Sequence, residues 1–300
     1  MRGEEFMGLR AKPTYRQRRF GAEVRSLRER AGLTAGEAAE VMGMRKEHIS
    51  NVESGRTSLS PERVHALVAA GGGEDATYID ELISLGQASG KGWWSEYRNR
   101  LRPSLLDIAE LEAGAERIIC YEPMFIPGLL QSHAYATAGF RGGYAGASRE
   151  EQDLDVEFRM QRQRILRGDA PVHLHAVIYE AALHATFGDR RIMRDQLLRL
   201  VEASRCPNVT IQILPFDGPV AFGTSFTLAE HQVPKLSTVV VAHIEKSLYL
   251  GDADSLTRYR QWFASLSEAA LPPVDASVQP EAHLAKNSLG LIQRLLYPLL

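Results

Sequence analysis

The sequence predicts an α+β protein in two parts, an all-α N-terminal module followed by a mixed-sheet α/β domain. Three observations carry this expectation. Up to about residue 72 the apolar residues recur at helical spacing, in short runs punctuated by glycine. From Val172 onward, β-branched runs alternate with helical segments. Between the two lies Gly71-Gly72-Gly73, a flexible break. A length of 300 residues suits two ordinary domains. A composition of 44% hydrophobic and 24% charged residues excludes a disordered, collagenous or fibrous chain.

The N-terminal helices follow in order. Phe20, Val24, Leu27 and Ala31 form one apolar stripe, and Gly32 stops that helix. Thr34 with Glu37 reads as a capping box, in which the hydroxyl accepts from the Glu37 amide and the carboxylate reaches back. Ala38, Ala39, Val41 and Met42 supply a small buried face before Gly43 breaks the chain. A third short helix carries Ile49 and Val52 inward and ends at Gly55. Ser60-Pro61 opens a fourth, with Val64, Leu67 and Val68 on its apolar side. Two short helices separated by one glycine, inside such a cluster, are the helix-turn-helix pattern.

Charge is distributed unevenly. Residues 1–70 hold 13 Lys and Arg against 9 Asp and Glu, whereas the remainder holds 22 against 28. Between residues 10 and 30 the imbalance sharpens: Arg10, Lys12, Arg16, Arg18, Arg19, Arg25, Arg28 and Arg30 face only Glu23 and Glu29. A basic end on a mildly acidic body points to a polyanion as partner. No apolar run reaches the length of a membrane span, and the N-terminus lacks an apolar signal core. Cys120 and Cys206 are too few for a disulfide framework or a four-cysteine zinc site. The expectation is a soluble, cytoplasmic protein with no membrane partner.

Three stretches resemble the lambda-repressor-like (XRE-type) helix-turn-helix regulators: Leu27–Thr34, Ala38–Gly43 and Ile49–Arg56. The resemblance covers residues 18–72 and implies double-stranded DNA as the partner, with the third helix in the major groove. With Ile49 and Val52 turned inward, the opposite side of that helix presents Lys46, Glu47, Ser50 and Asn51 as base contacts. Lys46 suits guanine O6/N7, Asn51 adenine N6/N7, and Glu47 cytosine N4. Arg18, Arg19, Arg45, His48 and Arg56 are the expected phosphate contacts. Two positions depart from the family: Ala35 stands where a Gln is frequent, and Arg45 where a Ser or Thr cap is usual.

Residues 73–92 read as a bridge, with a short amphipathic helix between Asp75 and Ala88. Beyond it, helices are expected at 104–119, 127–140, 148–167, 189–204 and 252–270. Strands are expected at Val172–Tyr179, Val209–Leu214, Phe226–Glu230, Val239–Glu245 and Ser247–Leu250. The helix between the first two strands permits a parallel crossover, and the later strands are close enough to pair antiparallel. The domain spans 93–271, and the tail 272–300, with its apolar Leu289–Leu300, has no assigned place.

Within this domain Gly92–Tyr97, Tyr121–Gln131, Glu180–Leu183, Met193–Leu197 and Pro207–Phe216 resemble WhiJ-like regulators of filamentous high-GC bacteria. These couple a helix-turn-helix to a C-terminal domain of unassigned activity. The resemblance implies a transcriptional regulator whose C-terminal domain responds to a partner or ligand. It also leaves open an antitoxin-like protein that mainly holds a small protein encoded nearby and autoregulates its own operon. A homodimer is expected, since one recognition helix reads too few base pairs to select a genomic site. Trp93-Trp94 reads as a core anchor rather than a ligand cage, and His173 with His175 lacks a third metal ligand. No phosphate loop, nucleophile elbow or zinc-protease helix occurs, so no catalytic residue, cofactor or metal is expected.

Overall fold

The computed structural model describes residues 13–143, 147–218, 223–243, 247–277 and 286–300. The chain divides into two compact units, one ending at Ser95 and the other beginning at Glu96. No described helix is long and apolar enough to cross a membrane.

The first unit comprises α1 (Tyr15–Arg30), α2 (Ala35–Val41), α3 (Lys46–Glu53), α4 (Pro61–Ala70) and α5 (Ala76–Gln87). Both Thr14 and Thr34 close reciprocal capping boxes, with Gln17 and Glu37 respectively. Ser60 begins α4 without a side-chain cap bond, so Pro61 at the first helical position marks that start. Phe20, Val24, Leu27, Ala38, Ala39, Ile49, Val52, Val64 and Leu67 are buried, as their spacing requires. Helix α5 is more than a bridge. Tyr78 donates to Glu23 at 2.6 Å, Arg16 donates to the Leu85 carbonyl at 2.6 Å, and Gln87 to that of Leu59 at 2.7 Å. Its Tyr78, Ile79 and Leu82 are buried, so the described residues of the module form five helices.

The second unit is a six-stranded mixed sheet in the order β3-β2-β1-β4-β5-β6. The strands are β1 (Arg117–Glu122), β2 (His173–Tyr179), β3 (Val209–Leu214), β4 (Phe226–Glu230), β5 (Thr238–Val241) and β6 (Leu248–Leu250). Helices α6 (Pro103–Ala113), α7 (His133–Gly143), α8 (Arg149–Arg162), α9 (Glu180–His184), α10 (Arg190–Ala203), α11 (Ala253–Ala269) and α12 (Ser288–Leu296) surround it. β1, β2 and β3 run parallel, because the helical connections α7–α8 and α9–α10 carry the chain back to the same end. β4, β5 and β6 join antiparallel through shorter connections. One face packs Ile118, Leu174, Ile211 and Ile213 against Leu130, Leu197 and Leu200. The other packs Ile119, Val177, Phe226 and Leu228 against Leu256 and Phe263 of α11.

Three expectations are corrected. The helix expected over 104–119 ends at Ala113, and Arg117–Glu122 forms a central strand. Its Ile118, Ile119, Cys120 and Tyr121 are all buried, because both faces of β1 are covered. Such a strand shows no alternation by which to distinguish it from buried helix. The helix expected at 127–140 is a 3₁₀ turn, Gly128–Leu130, followed by α7 from His133. The strand expected to reach Glu245 ends at Val241, and residues 244–246 lie outside the described residues.

The described residues of the tail, finally, pack into the core. Leu271 and Val274 donate backbone N–H groups to Ile213 and Ile211, so this segment covers the outer edge of β3. Leu289, Leu291 and Ile292 of α12 are buried against the same face, each stabilising by roughly 1.5–3 kcal/mol.

Two polar features lie inside this unit. Glu112 of α6 accepts from Arg162 of α8 at 2.8 and 2.5 Å, both side chains being buried. Beside them a cavity of about 30 Å³ is lined by Glu122, Cys120 and Thr227 as well. Burial pushes the Glu122 carboxyl up to about 8, against the opposing pull of Arg159.

Candidate nucleic-acid interface

Helix α3 is held from beneath by backbone contact and by one ion pair. A Cβ at Gly21 would lie 2.5 Å from the Val52 carbonyl oxygen, and one at Gly55 would lie 2.6 Å from the Gln17 backbone. Only glycine permits α1 to pass this close, and Gly55 also takes φ +76°. Arg28 of α1 then donates to both Glu53 oxygens, at 2.6 and 3.2 Å, and to the Leu33 carbonyl at 2.9 Å. The fork geometry fixes the orientation of the end of α3, and Glu53 raises the Arg28 guanidinium further above its usual range. Sequence reading had counted Arg28 only among the basic residues. The signal available was its place beside the apolar stripe of α1, six residues before the capping box at Thr34–Glu37, but the partner Glu53 lies on another helix.

With Ile49 and Val52 at 1% exposure each, the remaining side of α3 faces outward. Lys46, Glu47, His48 and Ser50 are exposed and Asn51 is partly buried. A shallow concavity of about 700 Å³ collects Lys46, Glu47 and Ser50 with Arg25 of α1 and Ala35 of α2. Ala35 occupies the place where the resembling family often carries a Gln, so α2 contributes a methyl group there rather than an amide. Arg45 stands at the cap position of α3 and makes no side-chain cap bond.

The basic residues separate into two groups. Arg16, Arg18, Arg25 and Arg30 are engaged within the module, on the Leu85 and Pro13 carbonyls, Glu29 and Glu74 respectively. Arg19 is turned inward, 10% exposed and 3.0 Å from Glu23, which removes it from the expected phosphate contacts. Arg18 remains exposed while bonded to Pro13 at 2.5 Å. Arg10 and Lys12 lie outside the described residues. By contrast, Arg45, Lys46, His48 and Arg56 are exposed and make no side-chain hydrogen bond or ion pair with the described residues. Three permanent cations thus stand around α3 with their donors available.

In the second unit His175 Nε2 donates to the Gln212 amide oxygen at 2.7 Å and packs edge-on to Phe263, whereas His173 is exposed. Among the described residues no group of three His, Cys, Asp or Glu side chains is placed to hold a metal ion. Trp93 and Trp94 contact each other at 6.0 Å and are only partly buried.

A braced outer helix, following a short capped one across a glycine turn, defines a helix-turn-helix DNA-binding protein carrying a C-terminal α/β domain. Residues 19–77 match the model of a helix-turn-helix domain. Residues 105–278 match that of a domain of unknown function (DUF5753), and the chain belongs to this family. Comparisons with curated proteins and with solved structures gave no match.

Proposed function

We propose that the chain is a sequence-specific transcriptional regulator that lays α3 in the major groove of double-stranded DNA. The availability of Arg45, Lys46, His48 and Arg56, in a module whose other described arginines are engaged, carries this reading. Lys46, Glu47, Ser50 and Asn51 read base edges, and Arg45, His48 and Arg56 hold phosphates. The C-terminal domain is the part that responds to a partner or ligand, and no catalysis is assigned to it. The resemblance to WhiJ-like regulators supports that division of labour. The protein acts as a cytoplasmic homodimer on a two-fold-related pair of half-sites.

Genome-wide occupancy of the tagged protein, followed by salt titration on the fragments recovered, tests the reading. Discrete sites are expected, with log affinity falling against log salt by about 0.9 per phosphate contacted. Absence of any enriched fragment, or affinity independent of salt, would overturn it. Occupancy confined to its own promoter would instead favour the antitoxin-like alternative, in which DNA binding is autoregulation.

A further inference from the structure

The concavity beside α3 holds a cation with no assigned partner on DNA. Arg25 of α1 lies on it together with Lys46, Glu47 and Ser50. Helical spacing puts it there. Arg25 stands three residues before Arg28, on the side of α1 that meets α3, and Glu53 acts on both guanidinium groups. Among the described residues that line the concavity, the cations are Arg25 and Lys46, and Ala35 adds no donor. Lys46 is committed to a base edge. Glu53 is held by Arg28, but Glu47 is exposed and lines the same space. A phosphate bordering the groove that receives α3 therefore meets repulsion here unless Arg25 offsets it.

Within the module Arg25 donates to Glu29 at 2.7 Å. Three features make this pair easy to exchange. Both side chains are more than half exposed, at 62% and 52%, where an ion pair contributes little to stability. The carboxylate follows the cation along the helix, the weaker of the two i,i+4 orders. Glu29 also sits in the last turn of α1, where the helix dipole disfavours an anion. Departure of Arg25 does not strand the carboxylate, because Arg28 lies 3.5 Å from it as well. A backbone phosphate, in turn, offers the guanidinium an acceptor that it can meet with two parallel N–H bonds.

We infer that Arg25 is a DNA-contact residue, and that binding draws its guanidinium from Glu29 to a backbone phosphate at the rim of this concavity. This rests on the placement of α3 in the major groove and adds Glu29 as a residue that sets affinity by competing for Arg25.

Fluorescence anisotropy of the full-length protein tests the exchange, on a fragment recovered by genome-wide occupancy and on a random-sequence duplex, over a range of salt. Arg25→Ala should weaken binding to both by roughly three- to tenfold. It should also reduce the slope of log affinity against log salt by about 0.9. Glu29→Gln should strengthen binding, and this gain should vanish when Arg25→Ala is combined with it. A gain that persists without Arg25 would be the general effect of removing a negative charge near DNA, and would overturn the exchange. An unaltered salt slope in Arg25→Ala would overturn it too. Both single variants should melt with the parent, and a marked fall for Arg25→Ala would show that the pair braces α1 and is not exchangeable. Binding by the parent reads the regulator assignment separately, so a parent that binds while Arg25→Ala behaves identically refutes the role of Arg25 alone.

Discussion

Lys46 and Asn51 illustrate how far single residues carry the argument. Both project from the side of α3 opposite Ile49 and Val52, so neither supports the core. Lys46→Ala and Asn51→Ala should each lose roughly 1–3 kcal/mol of discrimination at one base pair. Binding to unrelated duplex should change little for Asn51→Ala. Competition titrations against single-base operator variants check this, and an unchanged profile for Asn51→Ala would place α3 in the wrong register. Glu122 makes a different kind of prediction. Its folded pKa is raised to about 8, while the unfolded chain releases the proton near the ordinary carboxylate value of 4.5. Between those values the native state holds a proton that the unfolded state lacks, so this contribution to stability falls as pH rises from about 4.5 to about 8. Glu122→Gln should flatten that slope in urea denaturation, and an unaltered slope would refute the assignment to this carboxyl.

At the scale of the element, α3 starts without the side-chain cap that α1 and α2 both have. Arg45→Ser should supply the missing acceptor and stabilise the module by about 0.5–1 kcal/mol. It also removes one of the three available cations, so DNA affinity should fall while the melting temperature rises. Calorimetry and fluorescence anisotropy on the same variant separate the two effects, and a joint rise in stability and affinity would show that Arg45 touches no phosphate. Strand β1 shows why one element escaped sequence reading. Arg117–Glu122 is covered on both faces, and a short run of consecutive apolar residues has no period to read. The flanking β2, β3 and β4 were legible because β-branched residues and turn signals bound them.

For the whole molecule, the natural cut lies beyond α5 and not at the glycine run. Tyr78, Ile79 and Leu82 are buried within the N-terminal module, so ending the chain near Gly73 would expose the surface of α1 on which α5 packs. A fragment ending at Ser95 should fold and bind DNA, but with much lower operator affinity than the full chain if the C-terminal domain organises the dimer. Sedimentation of both proteins on operator DNA checks this, and equal affinity or a full-length monomer on the operator would overturn it.

By itself, the sequence determined the helix-turn-helix. Its glycines, its Thr34–Glu37 cap and the spacing of Ile49 and Val52 are local signals, and local geometry sets which side of α3 faces outward. Tertiary structure alone decided which cations remain available there. Arg28 looks like Arg45 and Arg56 in the sequence, but Glu53 reaches it once α1 and α3 pack. It likewise decided the place of β1 and the closing of the β3 edge by residues 271–274. Each of these depends on partners distant in the chain, whose approach is a property of packing and leaves no periodic trace in the residues that take part.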